Sequence, residues 1–189
     1  MIPQNVARDL VDDSLSYQDF LARHGSSGDI KNWTDVNESC SLSDEQADLL
    51  SSFSRQLHVV CVAGAWCGDC VTQGPILNHI ASASDQINLL FIDRDALAEE
   101  FKATWTVCGG LRVPQVLFLN EDYQFLGHAG DRTITRYREL ARLALGDEAP
   151  INTSFDQSQK TVLEDWLEEF ERIHLIARLS PRLRQKHAD

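Results

Sequence analysis

The chain has 189 residues, 43% of them hydrophobic, and a formal net charge of −12. That length fills one core with some peripheral helix and leaves no room for a second independent domain of ordinary size. The acidic balance, with no Lys/Arg cluster set in an aromatic or Gly-rich stretch, excludes the basic footprint that nucleic acids and anionic membranes require, and no apolar run approaches a membrane-spanning length.

Residues 1–48 read as a helical N-terminal extension. Ser16 followed by Asp19 is a capped helix start, and Gly25 stops that helix. From Gly25 to Cys40 the run of Gly, Ser, Asn and Asp predicts a loop. Ser43 with Gln46 forms a capping box and Leu42 staples onto Ala47, which opens a helix to about Arg55.

Residues 49–146 carry the pattern of a single α/β domain. Leu57 to Ala63 is short, apolar and rich in β-branched residues, as a buried central strand requires. Gly64 and Ala65 lead into Trp66 and the pair Cys67 and Cys70. From Cys67 to about Ser82 the pattern is helical, with Pro75 inside it, where the missing N–H bends the axis. Ile87 to Ile92 is a second strand, Ala96 to Trp105 a helix, and Cys108–Gly109–Gly110 a turn. Val116 to Leu119 and Tyr123 to Leu126 flank Asn120–Glu121–Asp122 as a hairpin, and Thr133 to Leu145 is a helix ended by Gly146. A βαβ half followed by a ββα half implies one central mixed sheet with helices on both faces.

Residues 147–189 read as a polar linker, about Asp147 to Ser158, and one amphipathic helix packed on the same domain. Val162, Leu163, Trp166, Leu167, Phe170, Ile173 and Ile176 form its apolar stripe. Packing on the core is the plain reading of that stripe, and a dimer contact the alternative. Arg182, Arg184 and Lys186 read as a solvated tail.

Met1 to Leu10 lacks the positive patch and apolar run of a secretory signal, so the expected compartment is the reducing cytoplasm. The Asn-x-Ser/Thr sites at Asn32, Asn37 and Asn152 are then coincidental. The five cysteines, Cys40, Cys61, Cys67, Cys70 and Cys108, are odd in number and unevenly spaced, unlike a disulfide framework. In a reducing compartment a close pair is a metal ligand set or a redox catalyst. A zinc site needs two further ligands, and there is no second CxxC and no paired-His spacing. No metal and no cofactor is therefore expected.

A CxxC alone is weak evidence, but this one follows a buried strand and opens a helix. There the first sulfur meets free backbone N–H groups and the positive helix end, which favour the attacking thiolate. The second cysteine lies one turn inside, shielded and within reach of the first. Asp69, an acid in the first turn, steadies the helix by about 0.3–1 kcal/mol, while its charge opposes the neighbouring thiolate. The pair is then comparatively reducing.

The stretch from Trp66 through Cys67-Gly68-Asp69-Cys70 to Pro75 and Ala81 resembles the active-site helix of the thioredoxin family, with its kinking proline five residues after the second cysteine. Val113–Pro114, just before a strand, resembles the family's cis-proline loop, and Gly130 the glycine before its last helix. The resemblance spans about residues 50–145, and the Trp-Cys-Gly-Asp-Cys variant resembles a bacterial thioredoxin-like subgroup. It implies a thioredoxin fold in which Cys67 attacks a protein disulfide and Cys70 resolves the mixed disulfide. Trp66, Gly68, Asp69, Val113 and Pro114 would then border the substrate, and Pro114 would lie cis beside the sulfurs.

The partners implied are protein disulfides and a recycling reductase, for a monomer or weak homodimer. The chain departs from the family at Cys61, where a buried acid is usual, and at Leu89, where a lysine often accompanies it. Asp69 or water is left to accept the Cys70 proton. The alternative is a thioredoxin-fold binding module whose redox chemistry is incidental. Cys61 reads as an apolar filler, Cys108 as an inert thiol or a minor resolving one, and Cys40 carries no signal.

Overall fold

The computed structural model describes residues 2–146 and 161–189. Four strands, β1 (Leu57–Ala63), β2 (Ile87–Asp93), β3 (Gln115–Asn120) and β4 (Phe125–Gly130), form one sheet in the order β2-β1-β3-β4. β1 runs parallel to β2 and antiparallel to β3, and β3 runs antiparallel to β4. Every residue of β1 is buried, which is why its sequence shows no polar alternation. The mixed sheet with flanking helices is the expected α/β architecture.

The parallel β1–β2 pair is joined by helix α5 (Gly68–Ser82), so the cysteine motif sits where β1 passes into α5. Cys61 pairs with Phe91 on one side and Val116 on the other, in the middle of the sheet. A bulge falls between Phe118 and Leu119, and β4 begins at Phe125 and runs to Gly130, two residues later and longer than the pattern indicates. The expected helix from Ala96 is split into a 3-10 turn, Arg94–Ala96, and a shorter helix α6 (Glu99–Thr104).

The N-terminal helices are α1 (Gln4–Asp12), α2 (Tyr17–His24), α3 (Ser27–Ser39) and α4 (Asp44–Ser51). Helix α2 has the expected cap, Ser16 accepting from the Asp19 N–H, and ends before Gly25. The loop expected from Gly25 to Cys40 is helix α3 instead. Its low intrinsic propensity is overridden by a complete Ser26/Asp29 capping box and by Trp33, which is fully buried. Trp33 packs tightly against α5: a Cβ on Gly74 would stand 2.1 Å from its ring. Its Nε1 donates to the Ala65 carbonyl at 2.8 Å, tying α3 to the segment that delivers Cys67. Helix α4 has the Ser43/Gln46 box but stops at Ser51, short of Arg55.

Helix α7 (Ile134–Leu145) is capped by Thr133, and α8 (Val162–Leu179) and α9 (Pro181–His187) close the chain. The α8 stripe packs on α5, α7 and β4, with Phe170 edge-on to Phe118. Ile176 is an exception to the expected stripe; it is exposed, and His174 and Ala177 are buried in its place. His174 stacks on Phe53 and its Nε2 accepts from the Ser54 N–H at 3.0 Å. The polar linker falls in 147–160, outside the described residues.

The basic residues of α9 are not a free tail. Arg182 pairs with Asp122, Lys186 with Glu121 and Asp122, and Arg184 Nε donates to the Asp189 carbonyl. Acids of the β3–β4 turn, sixty or more positions away in sequence, draw Arg182 and Lys186 back onto the domain. No helix among the described residues is long and apolar enough to cross a membrane.

Candidate active site

Strand β1 ends at Ala63, and the Cys67 N–H donates to the Gly64 carbonyl at 3.0 Å, turning the chain sharply into α5. Cys67 is the N-cap residue with extended backbone (φ −83°, ψ 123°), so its side chain stands over the first turn. The Asp69 and Cys70 N–H groups point at its sulfur, two of the donors that a helix start leaves without internal partners. Cys67 is half-buried, while Cys70, one turn in, has no solvent exposure. Both are free thiols.

These surroundings split the two thiols. The Cys67 thiol is lowered from 9.0 to about 6, first by a hydrogen bond from the Cys70 thiol and then by the Cys70 and Asp69 N–H groups; burial and the Asp69 charge oppose this. Burial pushes Cys70 well above its ordinary value, and donation to Cys67 pushes it further. At pH 7, one unit above about 6, Cys67 carries roughly ten thiolates for each thiol. A nucleophile and a protonated partner thus stand side by side.

The segment before β3 closes the other side. The Val113–Pro114 peptide is cis, and the Val113 carbonyl lies 3.5 Å from Cys67 Sγ. Trp66, the residue before Cys67, is 56% exposed, with the Arg94 guanidinium 4.8 Å from its ring centre. Nothing within 4 Å would meet a Cβ on Gly68. The sequence-expected site residues Trp66, Cys67, Gly68, Asp69, Cys70, Val113 and Pro114 therefore converge on one end of the sheet.

Asp69 is not a free acid over the thiolate. Arg132 holds its Oδ2 at 2.5 Å and Arg136 Nε its Oδ1 at 3.2 Å. Burial would raise its pKa, but these two arginines outweigh burial and hold it below the usual carboxylate value. Its repulsion is the smallest influence on Cys67, so the expected opposition to the thiolate is present and largely neutralised. Asp131, beside Arg132, is 2% exposed and hydrogen-bonded by Tyr137.

Gln73, also fully buried, donates to the Asp69 and Asp131 carbonyls at 3.3 and 3.1 Å and accepts from Trp166 Nε1 at 3.0 Å. Helix α8 thereby reaches the site through one side chain. Arg94, Arg132, Arg136 and Gln73 escape sequence reasoning because their partners lie far along the chain; no local spacing marks them.

Cys61 is fully buried on β1, its thiol pushed up by burial and by the charge on Cys67. Cys108 is exposed at the tip of the Val107–Gly110 turn, with φ 49°. No group of three His, Cys, Asp or Glu side chains suited to a metal gathers among the described residues.

A family model described as Thioredoxin matches residues 14–142, more than half of the chain. The chain belongs to the thioredoxin family. Two solved structures share the fold of this thioredoxin-family chain. One is a protein of unknown function from Pseudomonas aeruginosa, 18% identical, covering 90% of this chain and 96% of its own, with a TM-score of 0.66. The other is an HIV epitope-scaffold, 18% identical, covering 91% and 93%, with a TM-score of 0.60. At that identity they speak for fold alone. No curated relative matches the chain.

Proposed function

We propose that this thioredoxin-family protein is a thiol–disulfide oxidoreductase that reduces or exchanges protein disulfides. The observation that carries this is the division of labour between two adjacent thiols: Cys67 lowered to about 6 and half-exposed, Cys70 buried, raised and donating to it. The Cys67 thiolate attacks one sulfur of a partner disulfide; that S–S bond breaks, and the departing partner thiolate takes up a proton. Cys70 then gives up its proton and attacks Cys67 Sγ, so the mixed disulfide breaks and the second partner thiol leaves. The partner gains two electrons and the chain is left with a Cys67–Cys70 disulfide, which a reductase must reopen.

Trp66, Gly68, Asp69, Val113 and Pro114 supply the substrate border, by their placement around the sulfur. The protein operates in the reducing cytoplasm as a monomer or weak homodimer, and the resemblance of its Trp66–Cys70 motif to a bacterial thioredoxin-like subgroup supports membership of that subgroup.

A second reading, a binding module with incidental redox activity, is favoured by one feature. Cys61 occupies the middle of β1 behind the pair, and Asp69 is bound to Arg132 and Arg136, so neither offers Cys70 a ready proton acceptor. Insulin reduction separates the two. The enzyme reading predicts turnover that Cys67→Ser abolishes, and Cys70→Ser should hold partners as mixed disulfides on Cys67. Wild-type activity no greater than that of Cys67→Ser favours the binding module.

A further inference from the structure

We propose that the partner presents an acidic protein segment, with carboxylates flanking its disulfide, to a rim of arginines around Cys67. This rests on the oxidoreductase reading and specifies its substrate class. Three separate segments bring guanidinium groups to residues that border the sulfur. Arg94, in the turn after β2, lies on the exposed Trp66 ring. Arg112 directly precedes Val113, whose carbonyl is 3.5 Å from Cys67 Sγ. Arg132 and Arg136, at the β4–α7 junction, both bind Asp69.

In these ion pairs the acid is the deeper member. The side chains of Asp131 and Asp69 are 2% and 13% exposed, against 44% for Arg112 and 26% for Arg136. At Asp69 and Asp131 a docking segment therefore meets guanidinium edges rather than carboxylates. Two outer acids remain: Asp95 pairs with Arg94 at 3.1 Å, and Glu139 with Arg136 at 3.0 Å. Both are solvent-exposed partners, worth little in water and open to exchange for an incoming carboxylate.

The net charge of −12 would repel an acidic partner at long range. At physiological salt that field is screened within about 8 Å, so the arginines bordering the site dominate once the chains touch. Arginine and exposed tryptophan are also the residue types that carry interface energy, and a guanidinium can grip a carboxylate with two parallel bonds.

The test uses cystine peptides of one sequence flanked by Glu, Gln or Lys, with their reduction rates normalised to a small neutral disulfide, bis(2-hydroxyethyl) disulfide. The expected order is Glu, then Gln, then Lys, with about a tenfold span that collapses in high salt. Arg94→Gln should cut the Glu-over-Lys ratio about threefold, the scale of one exposed charge pair. Asp95→Asn, which removes the competing acid from the same arginine, should raise it. Opposite shifts in two surface variants cannot come from misfolding.

Equal rates for the Glu and Lys peptides, a Lys preference, or a ratio unmoved by Arg94→Gln would overturn the proposal and leave the oxidoreductase reading standing. No reduction of any disulfide, the neutral one included, would overturn both.

Discussion

Replacing Cys70 tests how the Cys67 thiolate is held. The Cys70 thiol is the largest influence lowering Cys67 to about 6. A hydrogen bond to a charged group contributes about 1.5–3 kcal/mol net, and one pKa unit corresponds to about 1.36 kcal/mol. Cys70→Ala should therefore move Cys67 up by roughly one to two units, toward 7–8. Cys70→Ser keeps an O–H donor at the same place and should leave Cys67 nearer its original value.

The two N–H groups of the first turn remain in both variants, so neither should return to the ordinary 9.0. The assay is the pH dependence of iodoacetamide alkylation at Cys67, with thiolate ultraviolet absorbance as a second probe. Identical midpoints for wild type, Cys70→Ala and Cys70→Ser would refute the reasoning and assign the lowering to the helix start alone.

Gly74→Ala gains helix propensity of up to about 1 kcal/mol but drives a Cβ to 2.1 Å from Trp33, whose indole is pinned by its bond to the Ala65 carbonyl. Overpacking of that kind costs about 1–3 kcal/mol, so thermal unfolding should show a lower Tm. Trp166→Phe leaves the Gln73 Oε1 unpaired in a fully buried position, and denaturant titration should show a loss of about 1–3 kcal/mol. For the reduced protein, Cys67 is held at about 6 when folded against 9.0 when unfolded, so between those values the unfolded chain binds the extra proton. Stability relative to Cys67→Ser should rise from about pH 6 to pH 9 and be lost again as pH falls through 6; parallel stability curves for the two proteins would contradict this.

Much of the site is legible in sequence because its parts are neighbours along the chain. A β-branched run, a two-residue turn and a helix start must place Cys67 at the helix end and Cys70 below it, whatever surrounds them. Helix α3 is the clearest miss. Gly, Ser, Asn and Asp argue for a loop, yet Ser26 and Asp29 make a capping box, and Ile30 and Trp33 share a face three residues apart. That box spacing was the available signal.

The arginines around Asp69 and the contacts of α9 were not legible, because each joins residues sixty or more positions apart, except Arg184 with Asp189. Nothing local in Arg132 or Lys186 announces its partner. The Asp69 charge is visible in sequence, but its neutralisation is a property of the fold.

The most direct test of the central claim is thiol mapping of the reduced protein after reaction with bis(2-hydroxyethyl) disulfide. A dithiol centre formed by Cys67 and Cys70 predicts the loss of two thiols, one Cys67–Cys70 bridge by mass spectrometry, and two equivalents of released small thiol. A bridge through Cys61 or Cys108, or a product stalled as a mixed disulfide on Cys67 with Cys70 still reduced, would contradict it.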